Sequence, residues 1–389
     1  MSILDKLERI RSTGGARITR GLSDAVITRF AARDNRLEGA VNEALQVFGT
    51  LQREFPDMLQ LDEREQVIRM HAEIINFYTD DAVNPYVNLA AAGPWIVSAK
   101  GAVIYDTGGY GMLGFGHAPE AVLFSMCRRQ VMANIMSANF SQLRLSNALR
   151  REIGHSRGSC PYDGFLCLNS GSEAVSLAAR ISDINARLAT RNGGPHAGKE
   201  IRHLALTGGF HGRTDRPAHF SDSTRSIYLE HLASFQKDAS LLTVEPNNTA
   251  QLQDVFDRAR REGFFIESMF MEPVMGEGNP GLSLTREFYD LARTLTREHG
   301  ALLLVDSIQA GLRAHGCLSI VDYPGFSGIE APDMETYSKA LNAGQYPLSV
   351  LAVTQRGTTL YQKGVYGNTM TSNPRALDVA CTVLEQVTP

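Results

Sequence analysis

The amino-acid sequence predicts an α/β fold with a mostly parallel sheet, and the arrangement of apolar residues supports this in two ways. From about residue 100 onward, short apolar runs alternate with longer segments whose apolar residues recur at helical spacing. Strands that alternate with helices are typical of parallel sheets covered by helices. The predicted strands are Phe165–Leu168, His203–Leu206, Leu241–Val244, Phe265–Met271, Ala301–Val305 and Ser349–Val353. The predicted helices include Glu173–Leu188, Ala250–Arg261 and Arg286–His299.

The first eighty residues predict helices without strands. One apolar set recurs at spacings of three and four: Leu37, Val41, Leu45, Phe48 and Leu51. A second set predicts another helix: Val67, Met70, Ile74 and Tyr78. Because Gly14 and Gly15 interrupt the start, we expect residues 1–20 to form a loose arm. We interpret residues 1–80 as a helical extension that packs on the main body, with a partner-binding module as the alternative.

Length, charge and cysteine content restrict the class of protein. A chain of 389 residues suggests two domains, or one large domain with appendages. A net charge of −4 gives no general attraction to nucleic acid or to anionic membranes. No apolar run approaches the roughly 18–20 residues of a membrane helix, and the charged start lacks the apolar core of a signal peptide. Five scattered cysteines without a Cys-x-x-Cys pair favour the cytoplasm and no structural zinc, and the histidine spacing indicates no metal site.

One glycine-rich segment imitates a dinucleotide-binding motif. Residues Gly109–Gly114 match G-x-G-x-x-G, but such a site also needs an acidic residue about 20 positions further on. Residues 128–140 contain no acid. We therefore interpret the segment as a turn that lets backbone pass closely, and nicotinamide-dependent oxidoreduction is the weakest functional alternative.

Four further motifs each follow a predicted strand or a short apolar run. Asn169–Ala174 opens a helix with small residues, as an anion site would, although an ordinary helix cap has the same composition. Gly209–Gly212 carries an aromatic residue between glycines, which fits either a ring-stacking loop or a turn with a core Phe. Asp306 ends an apolar strand, where a buried carboxylate needs a cationic partner or is merely a turn residue. Lys339 on its own is more simply a solvated lysine.

The order of these motifs points to one cofactor. Pyridoxal 5′-phosphate (PLP) needs an anion site, a residue that stacks on its ring, a carboxylate for its pyridinium nitrogen and a lysine for its Schiff base. The chain supplies these groups in that order, each where a parallel sheet would place a ligand.

From about Gly101 to Leu384 the chain resembles the class III aminotransferases, a family of fold-type I PLP enzymes. The similar segments occur in the order that the family has. They are residues 101–117, Asn169–Ala174, Phe210–Thr214, Glu272–Gly278, Asp306–Gly311, Ser338–Leu341 and Gly367–Pro374.

The resemblance implies a large domain with a mostly parallel seven-stranded sheet, an N-terminal helical extension and a small domain that is incomplete at its C-terminus. The expected division is residues 1–80 for the extension, 81–145 for the N-terminal part of the small domain and its lead-in, and 146–389 for the PLP-binding domain. The family usually continues for about 100 residues more, a typical size for a small domain. We expect either that the chain is truncated or that residues 1–80 partly substitute.

The resemblance also assigns roles to residues. Lys339 would form the Schiff base and then transfer the proton, and Asp306 would keep the pyridine nitrogen protonated. Phe210 would stack on the ring, and Gln309 would bond near its hydroxyl. Thr369 would reach the phosphate in the neighbouring subunit, which implies a homodimer with sites at the interface. The complete expected set is Lys339 and Asp306 as catalytic residues, Gly171, Ser172, Phe210, His211, Gln309 and Thr369 as further cofactor ligands, and Glu277 as the substrate-side residue.

The chain departs from the family's pattern at two places beside the site. The family's Asp-Glu pair is Asp306-Ser307 here, so one acidic neighbour is missing. The segment Gly311–Gly316 reads Gly-Leu-Arg-Ala-His-Gly where the family has Gly-Phe-Gly-Arg-Thr-Gly, so contacts of this loop are expected to differ.

The resemblance implies a PLP-dependent aminotransferase that moves an amino group from an amine, an ω-amino acid or a basic amino acid to a 2-oxo acid such as 2-oxoglutarate by ping-pong chemistry. Gly208–Thr214 and the Ser/Thr/Asp stretch that follows resemble the lysine ε-aminotransferase branch, which implies a terminal amine of a basic amino acid as the donor. The alternatives are another PLP reaction on the same fold (aminomutase, decarboxylase or epimerase) and a non-catalytic homologue that acts as a binding subunit.

Overall fold

The computed structural model describes residues 1–109, 114–132, 135–236 and 238–387. The chain divides into two compact units, residues 1–123 and residues 124–389, and the boundary falls within the sixth helix. Across the described ranges, no helix is both long enough and apolar enough to cross a membrane.

In the described residues of the first unit, helices pack on a three-stranded antiparallel sheet. The helices are α1 (Ile3–Arg11), α2 (Asp24–Ala31), α3 (Asn35–Glu54), α4 (Pro56–Gln60), α5 (Glu63–His71) and the start of α6 (Glu120–Met126). The strands are β1 (Asn88–Ala92), β2 (Trp95–Ser98) and β3 (Val103–Tyr105), paired in that order. The first predicted apolar stripe is confirmed, because Leu37, Val41 and Phe48 of α3 are buried in one cluster with Trp95.

The expectation of a loose arm at residues 1–20 is wrong, because packing and hydrogen bonds hold this segment. α1 begins at a capping box, and its residues Leu7 and Ile10 have no exposed surface. Beyond α1, the Nζ atom of Lys100 donates to the carbonyl oxygens of Gly14 at 2.5 Å and of Leu59 at 3.0 Å. Lys100 is itself buried, and this burial lowers its pKa. Gly14 and Gly15 therefore do not make this segment loose.

The second predicted helix is shorter than its apolar spacing indicates. α5 ends at His71, and Ile74 lies beyond it as an exposed residue. The buried face of α5 is polar: Glu63 has no exposed surface, and its Oε2 atom accepts hydrogen bonds from the backbone N–H groups of Ile18 and Thr19. Burial of this helix depends on hydrogen bonding, so apolar periodicity does not predict its extent.

In the described residues of the second unit, seven strands form one sheet. They are β4 (Gly164–Leu168), β5 (Glu200–Leu206), β6 (Leu241–Val244), β7 (Phe264–Met271), β8 (Leu302–Asp306), β9 (Met334–Tyr337) and β10 (Ser349–Val353), in the spatial order β4-β10-β9-β8-β7-β5-β6. All pairs among β5 to β9 are parallel, and β10 runs antiparallel to both of its neighbours. The helices are α7 (Phe140–Glu152), α8 (Gly171–Thr190), α9 (Asp215–Ala218), α10 (Arg225–His231), α11 (Thr249–Glu262), α12 (Arg286–His299), α13 (Gln355–Leu360) and α14 (Pro374–Gln386).

Helices cover both faces of this sheet, which explains why β7, β8 and β10 are buried along their whole length and are largely apolar. In β8, Leu302 and Leu304 pack into the cluster formed with α8, whereas Leu303 and Val305 pack into the cluster formed with α11 and α12. The strand then ends at Asp306, so a carboxylate lies where the two cores stop.

One strand of the sheet has no counterpart among the predicted strands. β9 reads Met-Glu-Thr-Tyr, and it pairs with β8 so that Thr336 stands beside Asp306. Glu335 and Thr336 have no exposed surface although both are polar. The prediction relied on apolar runs, so it missed a strand that is buried through hydrogen bonds.

Candidate cofactor site

The candidate site is a cavity of about 180 Å³ at the carboxyl ends of β7, β8 and β9 and at the start of α8. It brings together all of the predicted cofactor ligands except Thr369. They are Gly171, Ser172, Phe210, His211, Asp306, Gln309 and Lys339.

The start of α8 is arranged to receive an anion. Ser170 caps the helix by accepting a hydrogen bond from the Glu173 backbone N–H, and Glu173 Oε2 accepts from the backbone N–H groups of Asn169 and Ser170. The next two N–H groups, at Gly171 and Ser172, belong to the first helical turn, where no preceding carbonyl can accept them. Together with the helix dipole they suit a phosphate group.

Two glycines keep the surroundings of this anion site open. A Cβ atom on Gly171 would lie 2.7 Å from Ile308 Cδ1, and one on Gly212 would lie 2.5 Å from Ser172 Oγ. Gly212 also has φ +110°, a conformation that other residues rarely adopt. The loop that carries Phe210 therefore packs on the start of α8 at Gly212, and Ile308 packs on it at Gly171. A larger residue at either position would displace the neighbour that it meets.

Asp306 is a buried carboxylate whose two oxygen atoms are held from different elements. Oδ2 lies 2.9 Å from His211 Nδ1, while Oδ1 accepts hydrogen bonds from Thr336 Oγ1 at 3.0 Å and from the Ile308 backbone N–H at 3.2 Å. Among the described residues, no Lys or Arg side chain forms an ion pair with Asp306. Such a fixed carboxylate suits a protonated ring nitrogen.

The polar atoms of the cavity fit PLP. His211 is buried, and its Nε2 atom has no hydrogen-bond partner within the described part of the chain. Five groups thus line one cavity: an anion site, a fixed carboxylate, an incompletely bonded imidazole, an aromatic ring and an amine. These are the groups that a phosphorylated pyridine aldehyde requires.

Lys339 is held in an unusual conformation within this cavity. It begins a short 3₁₀ turn, Lys339–Asn342, with φ +42°, in the left-handed region that non-glycine residues seldom occupy. Its Nζ atom donates to Gln309 Oε1 at 2.5 Å. Burial lowers the pKa of Lys339, while the carboxylates of Asp306, Glu277 and Glu272 act in the opposite direction. A lowered pKa favours the neutral amine, which is the form that attacks an aldehyde.

Glu272 is a site residue that the sequence analysis did not single out. It follows β7, lines the cavity and is 4% exposed. Oε2 accepts from the Phe210 N–H at 3.0 Å, and Oε1 accepts from the Gly276 N–H at 2.9 Å. Burial raises the pKa of Glu272 to about 7, with a further contribution from Asp306. The only sequence signal for it was its place at the start of the segment Glu272–Gly278.

Glu277 lies outside the cavity lining, next to the loop of Phe210. Its carboxylate is 3.7 Å from the guanidinium of Arg213, and both side chains are partly exposed, at 40% and 39%. The Arg213 guanidinium carbon also lies 5.5 Å from the centre of the Phe210 ring. The predicted substrate-side glutamate is therefore paired with a cation that borders the predicted stacking residue.

Thr369 is separate from this cavity. It is exposed and lines a different depression of about 930 Å³ beside β4. Its predicted role concerns a neighbouring subunit, so that role stays a prediction.

The two sequence departures also have structural positions. Ser307 donates through Oγ to Glu335 Oε1 at 2.6 Å, so a carboxylate from β9 stands against the residue that follows Asp306. In the segment Gly311–Gly316, Leu312 has φ +65° and the three residues after it are exposed.

Two remaining sequence features add no further site. Most of the segment Gly109–Gly114 lies outside the described residues, which omit 110–113. In the part of the chain that the structure describes, no group of three or more His, Cys, Asp or Glu side chains could hold a metal ion.

The fold and the cavity define a protein of the PLP-dependent α/β class, and comparison with known proteins identifies the family. Residues 78–388 match the family described as aminotransferase class-III. The chain therefore belongs to the class III aminotransferases, which carry out PLP-dependent amino transfer. The predicted family and cofactor are confirmed at this level.

Several relatives have known names. The chain is 29% identical over 302 residues to an ornithine aminotransferase of Emericella nidulans, covering 74% of this chain and 63% of that protein. It is 25% identical to an acetylornithine aminotransferase of Prochlorococcus marinus, covering 76% of this chain and 66% of that protein. The chain thus spans just under two thirds of the length of these relatives.

Solved structures confirm the predicted fold class. An ornithine aminotransferase from Toxoplasma gondii superposes with a TM-score of 0.69 at 22% identity, covering 86% of this chain and 73% of that one. An S-selective transaminase from Bacillus megaterium gives a TM-score of 0.67 at 16% identity, with 82% and 72% coverage. At these identities the likeness concerns the fold, and it includes the mostly parallel seven-stranded sheet.

Proposed function

We propose that this chain transfers an amino group from a terminal amine of an amine, an ω-amino acid or a basic amino acid to a 2-oxo acid such as 2-oxoglutarate, in a ping-pong cycle. The observation that carries the proposal is the buried Lys339 amine, bonded to Gln309 in the same cavity as the fixed carboxylate of Asp306. A buried lysine and a fixed carboxylate that share one cavity suit PLP chemistry.

The residues of the cavity have separate roles in this proposal. When bound, PLP supplies an electron sink for the charge that develops on the substrate carbon. Lys339 would hold the cofactor through its amine, and Nζ would take the proton that leaves the substrate carbon. Asp306 would keep the ring nitrogen protonated, and Phe210 would cover one face of the ring. Gln309 would bond near the ring hydroxyl, and its Oε1 atom accepts a hydrogen bond from Lys339 Nζ.

The anion site and the subunit arrangement complete the proposal for the cofactor. Gly171 and Ser172 bind the phosphate through the first turn of α8. Thr369 reaches the phosphate of a neighbouring subunit, so the enzyme is a homodimer with sites at its interface. The exposure of Thr369 leaves it accessible for such a contact.

The donor class rests on two kinds of support. Relatives named ornithine and acetylornithine aminotransferases suggest a donor with a terminal amine, and the predicted similarity to lysine ε-aminotransferases suggests the same class. Glu277 with Arg213 would then meet the charged end of the donor. We also propose a cytoplasmic location, because the five cysteines, all among the described residues, are unpaired.

The test is to supply 2-oxoglutarate, PLP and a panel of donors (lysine, ornithine, N-acetylornithine and β-alanine), and to measure glutamate. Glutamate that appears with at least one donor supports transamination. Donor consumption without glutamate would instead favour an aminomutase, decarboxylase or epimerase, and no donor consumption with intact folding would favour the binding-subunit alternative.

A further inference from the structure

Glu335 is a buried carboxylate that the proposed chemistry does not use. It lies on β9, has no exposed surface, and burial raises its pKa. Among the described residues, no Lys, Arg or His forms an ion pair with it. A carboxylate in such surroundings is tolerated only if hydrogen bonds satisfy it.

Four donors satisfy the two oxygen atoms, and we name them with Glu335 the Glu335 cluster. Oε1 accepts from Ser307 Oγ at 2.6 Å and from the Ile320 backbone N–H at 2.9 Å. Oε2 accepts from Ser319 Oγ at 2.5 Å and from the Tyr162 hydroxyl at 2.6 Å. Three of the four donors belong to one segment, residues 307–320, which connects the end of β8 to the next 3₁₀ turn.

The donors lie at opposite ends of that segment. Ser307 is its first residue, whereas Ser319 and Ile320 are its last two, so one side chain fastens both ends. The middle of the segment, residues 313–316, is exposed. Gln309, the hydrogen-bond acceptor for Lys339 Nζ, lies two residues after Ser307.

We propose that Glu335 is a positioning residue for the lysine site: by fastening both ends of the 307–320 segment, it holds Gln309 against Lys339 Nζ. The effect on Lys339 rests on the proposed function, whereas the effect on the segment does not. Glu335 acts from the opposite side of the sheet strand to Thr336, which bonds Asp306 directly. β9 therefore supports both the lysine and the carboxylate of the site.

The first experiment measures hydrogen exchange of the 307–320 segment in the protein without added cofactor. Glu335→Leu removes both acceptor oxygens and keeps a side chain of similar size, so we expect exchange in this segment to accelerate tenfold or more. Ser307→Ala and Ser319→Ala each release one end and should give smaller accelerations in the same peptides. If all three variants exchange at the wild-type rate, the proposal is wrong.

Tyr162→Phe is the matched control. It removes a hydrogen bond from the same carboxylate, but Tyr162 lies outside the segment, before β4. We expect exchange of the 307–320 peptides to stay within about twofold of wild type. An acceleration equal to that of Ser307→Ala would mean that any loss around Glu335 loosens the region, which would overturn a specific fastening of the two ends.

The second experiment tests the path through Gln309 with a double-mutant cycle of Glu335→Leu and Gln309→Met. Its readouts are the rate at which added PLP becomes reducible onto Lys339 by borohydride, and kcat and KM with the active donor. If Glu335 acts through Gln309, Glu335→Leu lowers kcat about tenfold with little change in KM, and it adds little when residue 309 is already Met. Fully additive losses would contradict the path.

The two experiments separate the two proposals. Faster exchange in the variants, combined with no lysine adduct in the wild-type protein, would leave the Glu335 cluster standing and overturn the proposed function. Wild-type exchange in the variants would overturn the inference whatever the enzyme does.

Discussion

At the scale of single residues, the site depends on side chains whose charges are set by burial. Asp306 is held on both oxygens, with no Lys or Arg partner among the described residues, and burial lowers the pKa of Lys339 in the same cavity. A fixed carboxylate suits a ring cation, and a lowered pKa favours the form of the amine that attacks an aldehyde. Each group acquires this state from packing that no single motif specifies.

The carboxylate can be tested without changing its shape. Asp306→Asn keeps a side chain that Thr336 and Ile308 can contact, but it removes the negative charge opposite the ring nitrogen. We expect the variant to fold and to bind PLP, with kcat lowered by about 1,000-fold. Steady-state kinetics beside a thermal melt would check this, and a kcat within a few-fold of wild type would remove Asp306 from the mechanism.

Glu272 predicts a pH dependence of stability. Its pKa is raised to about 7 in the folded protein, above its ordinary value of 4.5. Between these values the folded protein holds a proton that the unfolded chain has released, so the stability contributed by the protonated carboxyl is complete below about pH 4.5 and is lost as the pH rises to about 7. The loss amounts to about 3 kcal/mol.

Urea unfolding of wild type and Glu272→Gln at several pH values between 4.5 and 8 would measure this effect. The Gln side chain does not titrate, so it supplies the reference. We expect the stability of wild type relative to the variant to fall up to about pH 7 and then to level. Parallel profiles across the whole range would show that burial does not raise this pKa.

At the scale of elements, the strands explain which parts of the fold the sequence could predict. The predicted strands correspond to β4, β5, β6, β7, β8 and β10, because each carries an apolar run. β7, β8 and β10 are buried along their whole length, whereas β4 and β6, at the sheet edges, are mostly half-buried. The sequence did not predict β9, because Glu335 and Thr336 are buried through hydrogen bonds to other elements. For the same reason it did not predict the extent of α5, whose buried face is polar. Apolar pattern predicts burial by packing and is silent about burial by hydrogen bonding.

The candidate site shows the same limit. Strand ends predicted the places of Asp306 and the segment Asn169–Ala174, and the order of motifs predicted that they meet. Three features of the site could not be predicted from the sequence: the position of Glu272, the contact of His211 with Asp306 and the contact of Gln309 with Lys339. They depend on side-chain directions between elements that are distant in sequence.

The junction between β4 and α8 gives a prediction at this scale. Gly171→Ala places a methyl group against the Ile308 side chain, so either this side chain or the start of α8 must move, and both border the cavity. We expect PLP affinity, measured by fluorescence titration, to fall tenfold or more while the melting temperature changes little. Gly39→Ala in α3 is the control, since nothing lies within 4 Å of that position. Equal PLP affinity in both variants would contradict the assigned anion site.

At the scale of the whole chain, the sequence predicted two kinds of region, and the structure has two compact units. The two units meet after residue 123, where contacts along the chain divide it. The predicted division at residues 80 and 145 separates an extension, part of a small domain and a PLP-binding domain, and it stays a prediction. The first unit holds its own start through Lys100, a buried cation that bonds backbone carbonyls. This interaction joins segments far apart in sequence, which explains why the glycines alone suggested a loose arm.

Lys100→Met tests how the first unit retains its start. The variant keeps the apolar part of the side chain but loses the hydrogen bonds to Gly14 and Leu59. We expect about 1–3 kcal/mol lower stability and faster proteolysis between residues 12 and 20. Lys6→Met, which removes a partly exposed ion pair with Glu38, should have a much smaller effect. Unchanged proteolysis in the Lys100 variant would show that α1 packing alone holds the segment.

The central claim, that Lys339 is the residue that binds PLP, has one direct measurement. The protein is incubated with PLP, its visible absorption is recorded, borohydride is added and the modified peptide is located by mass spectrometry. We expect a visible band that disappears on reduction and a stable adduct on Lys339, retained in a Lys363→Ala control and lost in Lys339→Ala together with turnover. No adduct in the wild-type protein, an adduct on another lysine, or undiminished turnover in Lys339→Ala would contradict the account.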